Sequence, residues 1–480
     1  MTLPRRHPAR TGPCERIGAE PSSRRAFLRA AATGIGAIAA GSLARPVRAQ
    51  ASRPILIRGA HVVTMGARGD LADADVRVRD GRIERVGRGL DADGAEIVDA
   101  AGHVLLPGFV DTHTHIWLSQ MRGLFGRSRE SAYFPLVERL GRAFRPDDMF
   151  TGTLFGATGN LDAGITTTFP YCDNIRRPED AEAALAALAE AGTRARFHYT
   201  GHDDLPDDDP VDLDHLRALH DEWERWSNGG LIALGLGWRV PTRDASGAVK
   251  ARARRELDVA KALALPVSTH ISGERGSAQL DWLISEALLA PGMVLVHATG
   301  ARPDQLAAVR AAGACVALTP ITEQRVGFGI TRLSNYANAP VTLGIDGGLA
   351  GAPDMFTMMK VLHNVEVGGA GDELAVLPRR LLELATIEGA RAVGMADVIG
   401  SIEPGKAADL ALIDTRSVNM GPLGDDPSAL LVYSAKPHNV AATMVAGRWT
   451  KRDGRLTMID ARDLAARVDR SLREVRERAE

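Results

Sequence analysis

Imidazole and carboxylate side chains recur at the points of this 480-residue chain where strand-like runs end. His113-Thr114-His115 closes an apolar run that begins at Phe109. Successive residues of an extended chain point to opposite faces, so His113 and His115 share one face and form a metal-chelating pair. His270 ends Pro266-Val267-Ser268-Thr269, and His297 ends Met293-Val294-Leu295-Val296. Asp346 ends Val341-Thr342-Leu343-Gly344-Ile345, directly before Gly347-Gly348. Polar residues at the C-terminal ends of barrel strands read as catalytic, because that rim carries the site. Trp238 and Arg239 follow Leu231 to Gly237, where they would stack on or hydrogen-bond a flat ring or a carboxylate. Tyr171-Cys172-Asp173-Asn174 follows Gly164 to Phe169 and would line the same pocket.

These residues need a frame. Strand-like runs begin at Phe109, Gly164, Ala195, Leu231, Pro266, Met293, Ala314 and Val341, separated by Ala-rich helical runs such as Pro178 to Ala191. Such alternation predicts an α/β fold with a parallel sheet, and eight units predict a (β/α)8 TIM barrel. Before it, from Pro54 to about Leu106, the pattern is β, with Asp80-Gly81 as a hairpin turn. Short β segments return after Ile402. The expectation is a small β-sandwich domain built from both chain ends (50–106 and 400–458), a barrel over 107–399, and a charged amphipathic helix over 459–480.

Composition narrows the function. Hydrophobic residues make up 45% and charged residues 25%, ordinary for a folded globular protein. Lys and Arg total 58 against 60 Asp and Glu, which disfavours a nucleic-acid binder. Residues 1–50 differ: they hold nine arginines against Glu15 and Glu20. Arg24-Arg25-Ala26-Phe27-Leu28 precedes a Gly/Ala-rich apolar run to Ala44 and the small-residue exit at Ala49. This resembles a twin-arginine signal peptide (1–49), with cleavage after Ala49. It implies passage of the folded protein through the twin-arginine export machinery to the periplasm or beyond, and a mature chain not embedded in the membrane. Cys172 and Cys315 are then the only mature cysteines, too few and too far apart for a disulfide framework or zinc knuckle. The acidic run from Asp203 to Asp214 reads as a solvated loop.

Pro107-Gly108-Phe109-Val110-Asp111-Thr112-His113-Thr114-His115 resembles the opening motif of the amidohydrolase superfamily. Met121-Arg122-Gly123, Gly344-Ile345-Asp346-Gly347 with Asp354-Met355-Phe356, and Gly405-Lys406-Ala407-Ala408-Asp409-Leu410 resemble its cytosine deaminase and triazine hydrolase branch. The resemblance spans about residues 54–455. It implies that His113, His115, His270 and Asp346 bind one divalent metal, Zn²⁺ first and Fe²⁺ as the alternative. It also implies that His297 orients the attacking water or a substrate carbonyl, that Asp346 doubles as general base, and that Arg122 joins Trp238 and Arg239 in substrate binding. The strand-four region Leu231 to Arg239 lacks the lysine of two-metal members, which favours a single metal.

One position departs from the branch. Its deaminases carry a glutamate three residues after the strand-five histidine, and here that residue is Gly273. Glu274, one residue on, and Glu323, in Thr319-Pro320-Ile321-Thr322-Glu323, are the two candidates for the displaced acid. The expected activity is hydrolysis of a non-peptide C–N bond, deaminating a small heterocyclic substrate by metal-activated hydroxide. Ring opening of a cyclic amide at the same site is the alternative, and a homo-oligomer is the family-level expectation.

Overall fold

The computed structural model describes residues 53–480, so the twin-arginine segment lies outside the described residues. All eight expected strands are present: β1 (Phe109–His115), β2 (Ile165–Ile175), β3 (Arg194–Gly201), β4 (Ile232–Trp238), β5 (Val267–Ile271), β6 (Val294–His297), β7 (Cys315–Leu318) and β8, in two pieces, Val341–Leu343 and Asp346–Gly347. Each pairs in parallel with the next. The second piece of β8 then pairs with β1, with Asp346 opposite Thr114 and Gly347 opposite His115. The order therefore returns to its start, consistent with a TIM-like barrel. Helices form where the sequence supplies start and stop signals. Pro178–Ala191 has Pro178 in its first turn and Gly192 as a left-handed cap.

A second sheet draws on both ends of the described chain. Its strands include Ile55–Val62, Leu71–Arg79, Arg82–Gly87 and His103–Pro107 from one end, and Leu410–Asp414, Val440–Val445 and Arg448–Arg452 from the other. They meet where His103–Pro107 pairs antiparallel with Leu410–Asp414. The pairing makes one continuous nine-stranded sheet. Its core gathers Ile57, Val76, Val78, Ile83, Leu105, Leu410, Leu412 and Met444. The Asp80-Gly81 hairpin is present, both residues having positive φ.

A buried joint helps tie this sheet to the barrel. The chain passes from this sheet into the barrel sheet between Pro107 and Phe109, and a Cβ on Gly108 would lie 2.1 Å from Thr166 Oγ1, so only glycine fits. The Gly108 amide donates to the Asp409 carbonyl at 2.9 Å. The buried Asp409 carboxylate accepts Arg194 Nε at 2.6 Å, Arg194 Nη2 at 3.1 Å and the Ala446 amide at 2.8 Å. Helix Ala461–Ala479, capped by Asp460, buries Leu464, Val468, Ser471 and Val475 along one face. Ser471 Oγ donates to Asp148 Oδ1 at 2.6 Å, which docks that helix on helix Pro146–Asp162. No helix among the described residues is long and apolar enough to cross a membrane.

The joint predicts a stability change. Asp409→Ala strands a buried guanidinium and should lower unfolding free energy by about 3–5 kcal/mol. Arg194→Met/Asp409→Leu should recover much of that, because an apolar pair replaces a buried ion pair at little cost. Denaturant unfolding of the three proteins measures both. A single variant as stable as the parent would contradict this role.

Candidate active site and metal centre

The alternation of β1 puts His113 and His115 on the inner face of the strand, and β5 and β8 bring His270 and Asp346 to them. The Nε2 atoms lie 3.2 Å apart for His113 and His115, 3.1 Å for His115 and His270, and 3.2 Å for His270 and His113. Asp346 Oδ1 is 3.3 Å from His113 Nε2 and 3.4 Å from His115 Nε2. All four donor atoms fall within 4.8 Å of one another. A tetrahedral ion with ligand bonds of about 2.0–2.1 Å separates its ligands by about 3.3–3.4 Å, so the residues present fit a Zn²⁺-type site. The three imidazoles and the carboxylate are all largely buried, and nothing else nearby explains so many lone pairs converging.

The backbone is bent to make this happen. Asp346 has φ 64° and His297 φ 70°, left-handed values that cost a non-glycine residue roughly 1–3 kcal/mol. The flanks hold them there. Thr114 Oγ1 donates to the Asp346 carbonyl at 3.0 Å, and the Tyr336 hydroxyl donates to the His297 carbonyl at 3.1 Å. A Cβ on Gly344 would meet the His113 carbonyl at 2.8 Å, so β8 approaches β1 closely only because that residue is glycine. Asp111, fully buried, accepts the Ile345 amide at 2.9 Å and Thr168 Oγ1 at 2.9 Å. Burial pushes its carboxyl up to about 7 in spite of those bonds.

Charges within the cluster are strongly polarised. Burial works against the Asp346 carboxylate, but the His113 contact and the nearby His297, His113 and His115 rings hold it well below the usual carboxylate range. Burial also pushes His113 down to about 4 and His270 well below an ordinary histidine. His115 goes the other way: burial opposes it, yet the Asp173 charge raises it to about 9.

The cluster opens into a cavity of about 250 Å³. Its lining includes the neighbouring aromatic rings of Tyr133, Phe134 and Phe328, together with Tyr171, Asp173, His202, Asp203 and Arg239. Several expected site residues stand differently from the sequence reading. Trp238 is fully buried, donates Nε1 to the Ala253 carbonyl at 3.0 Å and packs on Trp282, so it belongs to the core behind β4. Strand parity explains it: Gly235 and Gly237 face inward towards His198 and Tyr171, so Trp238 faces out. Arg239 does line the cavity, but its guanidinium is spent on the Leu205 and Pro206 carbonyls at 3.0 and 3.2 Å. Arg122 lies outside this cavity and clamps the β8 loop, donating Nε to the Gly348 carbonyl at 2.9 Å.

Glu323 is fully buried and does not line the cavity. Its Oε1 lies 3.1 Å from His297 Nδ1 and accepts the Thr319 amide at 3.0 Å, and its other oxygen accepts from Thr331. It therefore acts on His297 and not on a ligand in the cavity. The side chain of Glu274 lies outside the described residues; its backbone is in the turn Gly273–Arg275. Thr319, unassigned by the sequence reading, bridges the site: its Oγ1 donates to Asp346 Oδ2 at 3.1 Å and lies 3.1 Å from His297 Nδ1. Cys172 and Cys315 are both free and buried.

Comparisons with known proteins agree with this arrangement. Residues 104–450 match the amidohydrolase family. A 5-methylthioadenosine/S-adenosylhomocysteine deaminase of Symbiobacterium thermophilum is 29% identical over 86% of this chain and 97% of its own length. A 5'-deoxyadenosine deaminase of Methanobrevibacter smithii is 25% identical over 83% and 93%. Among solved structures, an adenosine deaminase from Xanthomonas campestris with bound zinc superposes with a TM-score of 0.76 at 24% identity, covering 88% of this chain and 98% of that one. An atrazine chlorohydrolase mutant from Arthrobacter aurescens, complexed with zinc and atraton, gives 0.75 at 22% identity over 87% and 100%. With the motif, the barrel frame and the four converging ligands in place, the chain belongs to the amidohydrolase family.

Proposed function

We propose that this enzyme is a mononuclear metal-dependent aminohydrolase that removes an exocyclic amine from a nitrogen heterocycle. The observation that carries the reading is the convergence of His113, His115, His270 and Asp346, three of which line a cavity of about 250 Å³. His113, His115, His270 and Asp346 would hold a divalent ion, which would supply Lewis acidity and a water of lowered pKa. The chain's own groups handle the protons. Asp346 divides its two oxygens: Oδ1 faces the ligand histidines, while Oδ2 accepts from Thr319 and lies 3.8 Å from His297 Nε2. That division lets one carboxylate ligate and accept a proton together. His297, set by Glu323, faces the same cavity and is placed to hold a substrate nitrogen or oxygen. The aromatic wall suits a flat ring. The relatives named as deaminases of adenine nucleosides make those nucleosides the first substrates to try.

A second reading is hydrolytic opening of a cyclic amide. It is favoured by Gly273, where a proton-carrying side chain would be expected, and by the commitment of Glu323 to His297. We further propose zinc as the resident ion, a homo-oligomeric assembly, and export through the twin-arginine route on the strength of Arg24-Arg25 and the run that follows. The two-ended sheet is proposed to fold as a small β-sandwich beside the barrel.

Three outcomes test these readings. Zinc-loaded protein should release ammonia from at least one adenine nucleoside, amino-purine, pyrimidine, pterin or triazine, and Asp346→Asn should lower the rate by about 10²–10⁴-fold, the range for loss of positioned acid–base help. A product that gains water without ammonia would select ring opening. Glu323→Gln should lower kcat by about 10²-fold while bound metal stays stoichiometric, since it disturbs His297 and not the ligands; unchanged kcat would remove Glu323 from the account. Replacing Arg24-Arg25 by lysines should retain the protein in the cytoplasmic fraction, whereas normal export would refute the signal reading.

A further inference from the structure

We propose that Asp173 is the positioning residue that sets the His115 ring for metal capture, with Trp117 holding Asp173 in place. The proposal rests on the metal-site reading above and extends it to a pair of residues outside the ligand set. A histidine that ligates through Nε2 must carry its proton on Nδ1, and that N–H needs an acceptor to fix the ring. His115 Nδ1 is buried and has no aligned hydrogen-bond partner. The carboxylate oxygen facing it is Asp173 Oδ2, 2.8 Å away, within hydrogen-bond distance but not aligned with the ring N–H. The other oxygen, Oδ1, accepts the Trp117 indole N–H at 2.7 Å. Trp117 is itself almost fully buried and packs edge-on against Phe144 at 5.1 Å, so it is a fixed donor.

The arrangement follows from strand geometry. Asp173 lies near the end of β2 on the same parity as Tyr171, whose ring centroid is 4.5 Å from that of His270. Trp117 lies two residues past His115, in the turn Ile116–Met121. The chain thus places an anchor and a ligand on one short segment and the connecting carboxylate on the neighbouring strand. A carboxylate can accept from both Trp117 and His115, because each oxygen serves one. An asparagine has a single acceptor oxygen and must abandon one of them.

The test is zinc affinity, by competition with a chromophoric chelator, for the full chain and for Asp173→Asn, Trp117→Phe and the double variant. Asp173→Asn should weaken zinc binding by about 10–100-fold, the usual cost of losing a residue that orients a ligand histidine. Trp117→Phe should weaken it by less, and the double variant should be no weaker than Asp173→Asn, since both act through one contact. The absorption spectrum of the Co²⁺-substituted protein should shift in Asp173→Asn, while the melting temperature of the metal-free variant stays at the parent value. Affinity within twofold of the parent, or strictly additive losses, would overturn the proposal. A parent that binds no zinc would overturn the metal site itself, a distinct failure. Should Asp173→Asn not fold, the Trp117→Phe affinity and Co²⁺ spectrum decide alone.

Discussion

Four donor atoms from positions 113, 115, 270 and 346 lie within 4.8 Å of one another, five of their six separations at 3.1–3.4 Å, and that convergence governs the rest of the molecule. Lone pairs crowded in a buried place repel one another and lose hydration, so rigid surroundings must impose the geometry. The imposition comes from pairing β8 back onto β1. Asp346 opposite Thr114 fixes the carboxylate against the histidine strand, and Gly344 permits the close approach. The left-handed backbone at Asp346 and His297 is the local cost of turning those side chains to one point.

Around that point the structure separates holding from reacting. One oxygen of Asp346 looks to the ligand histidines and the other to Thr319 and His297. Glu323 completes the second arm from a fully buried position, and Asp173 backs the first arm from the wall of the cavity. Farther out, Asp409 links barrel and second sheet through Arg194, Ala446 and Gly108, and Lys451 on Asp162 and Thr443 on the Leu161 carbonyl fasten the same sheet to the barrel's first long helix.

Much of this was legible in the chain. Strand ends announced His113, His115, His270, His297 and Asp346, because apolar runs bounded by polar chemistry carry their own register. The eight runs and the Asp80-Gly81 hairpin were legible for the same reason. What failed was whatever depended on partners distant in sequence. Trp238 and Arg239 were read together although adjacent residues on a strand cannot share a face; parity alone would have sent Trp238 outward. Arg122 is committed to carbonyls of the β8 loop, over 200 residues away, and Glu323 to the ring of His297, neither of which any local pattern encodes. Asp173 stood in a tetrapeptide read only as pocket wall, since its meaning needs both Trp117 and His115.

The central claim is a single ion held by three imidazoles and one carboxylate. X-ray absorption at the zinc edge of the zinc-loaded protein, with metal counted per chain, tests it most directly. The expected result is one zinc per chain, with coordinating nitrogen and oxygen at about 2.0–2.1 Å and no sulfur. Two ions per chain, a sulfur ligand, or full zinc occupancy retained in the Asp346→Asn/His270→Asn double variant would contradict it.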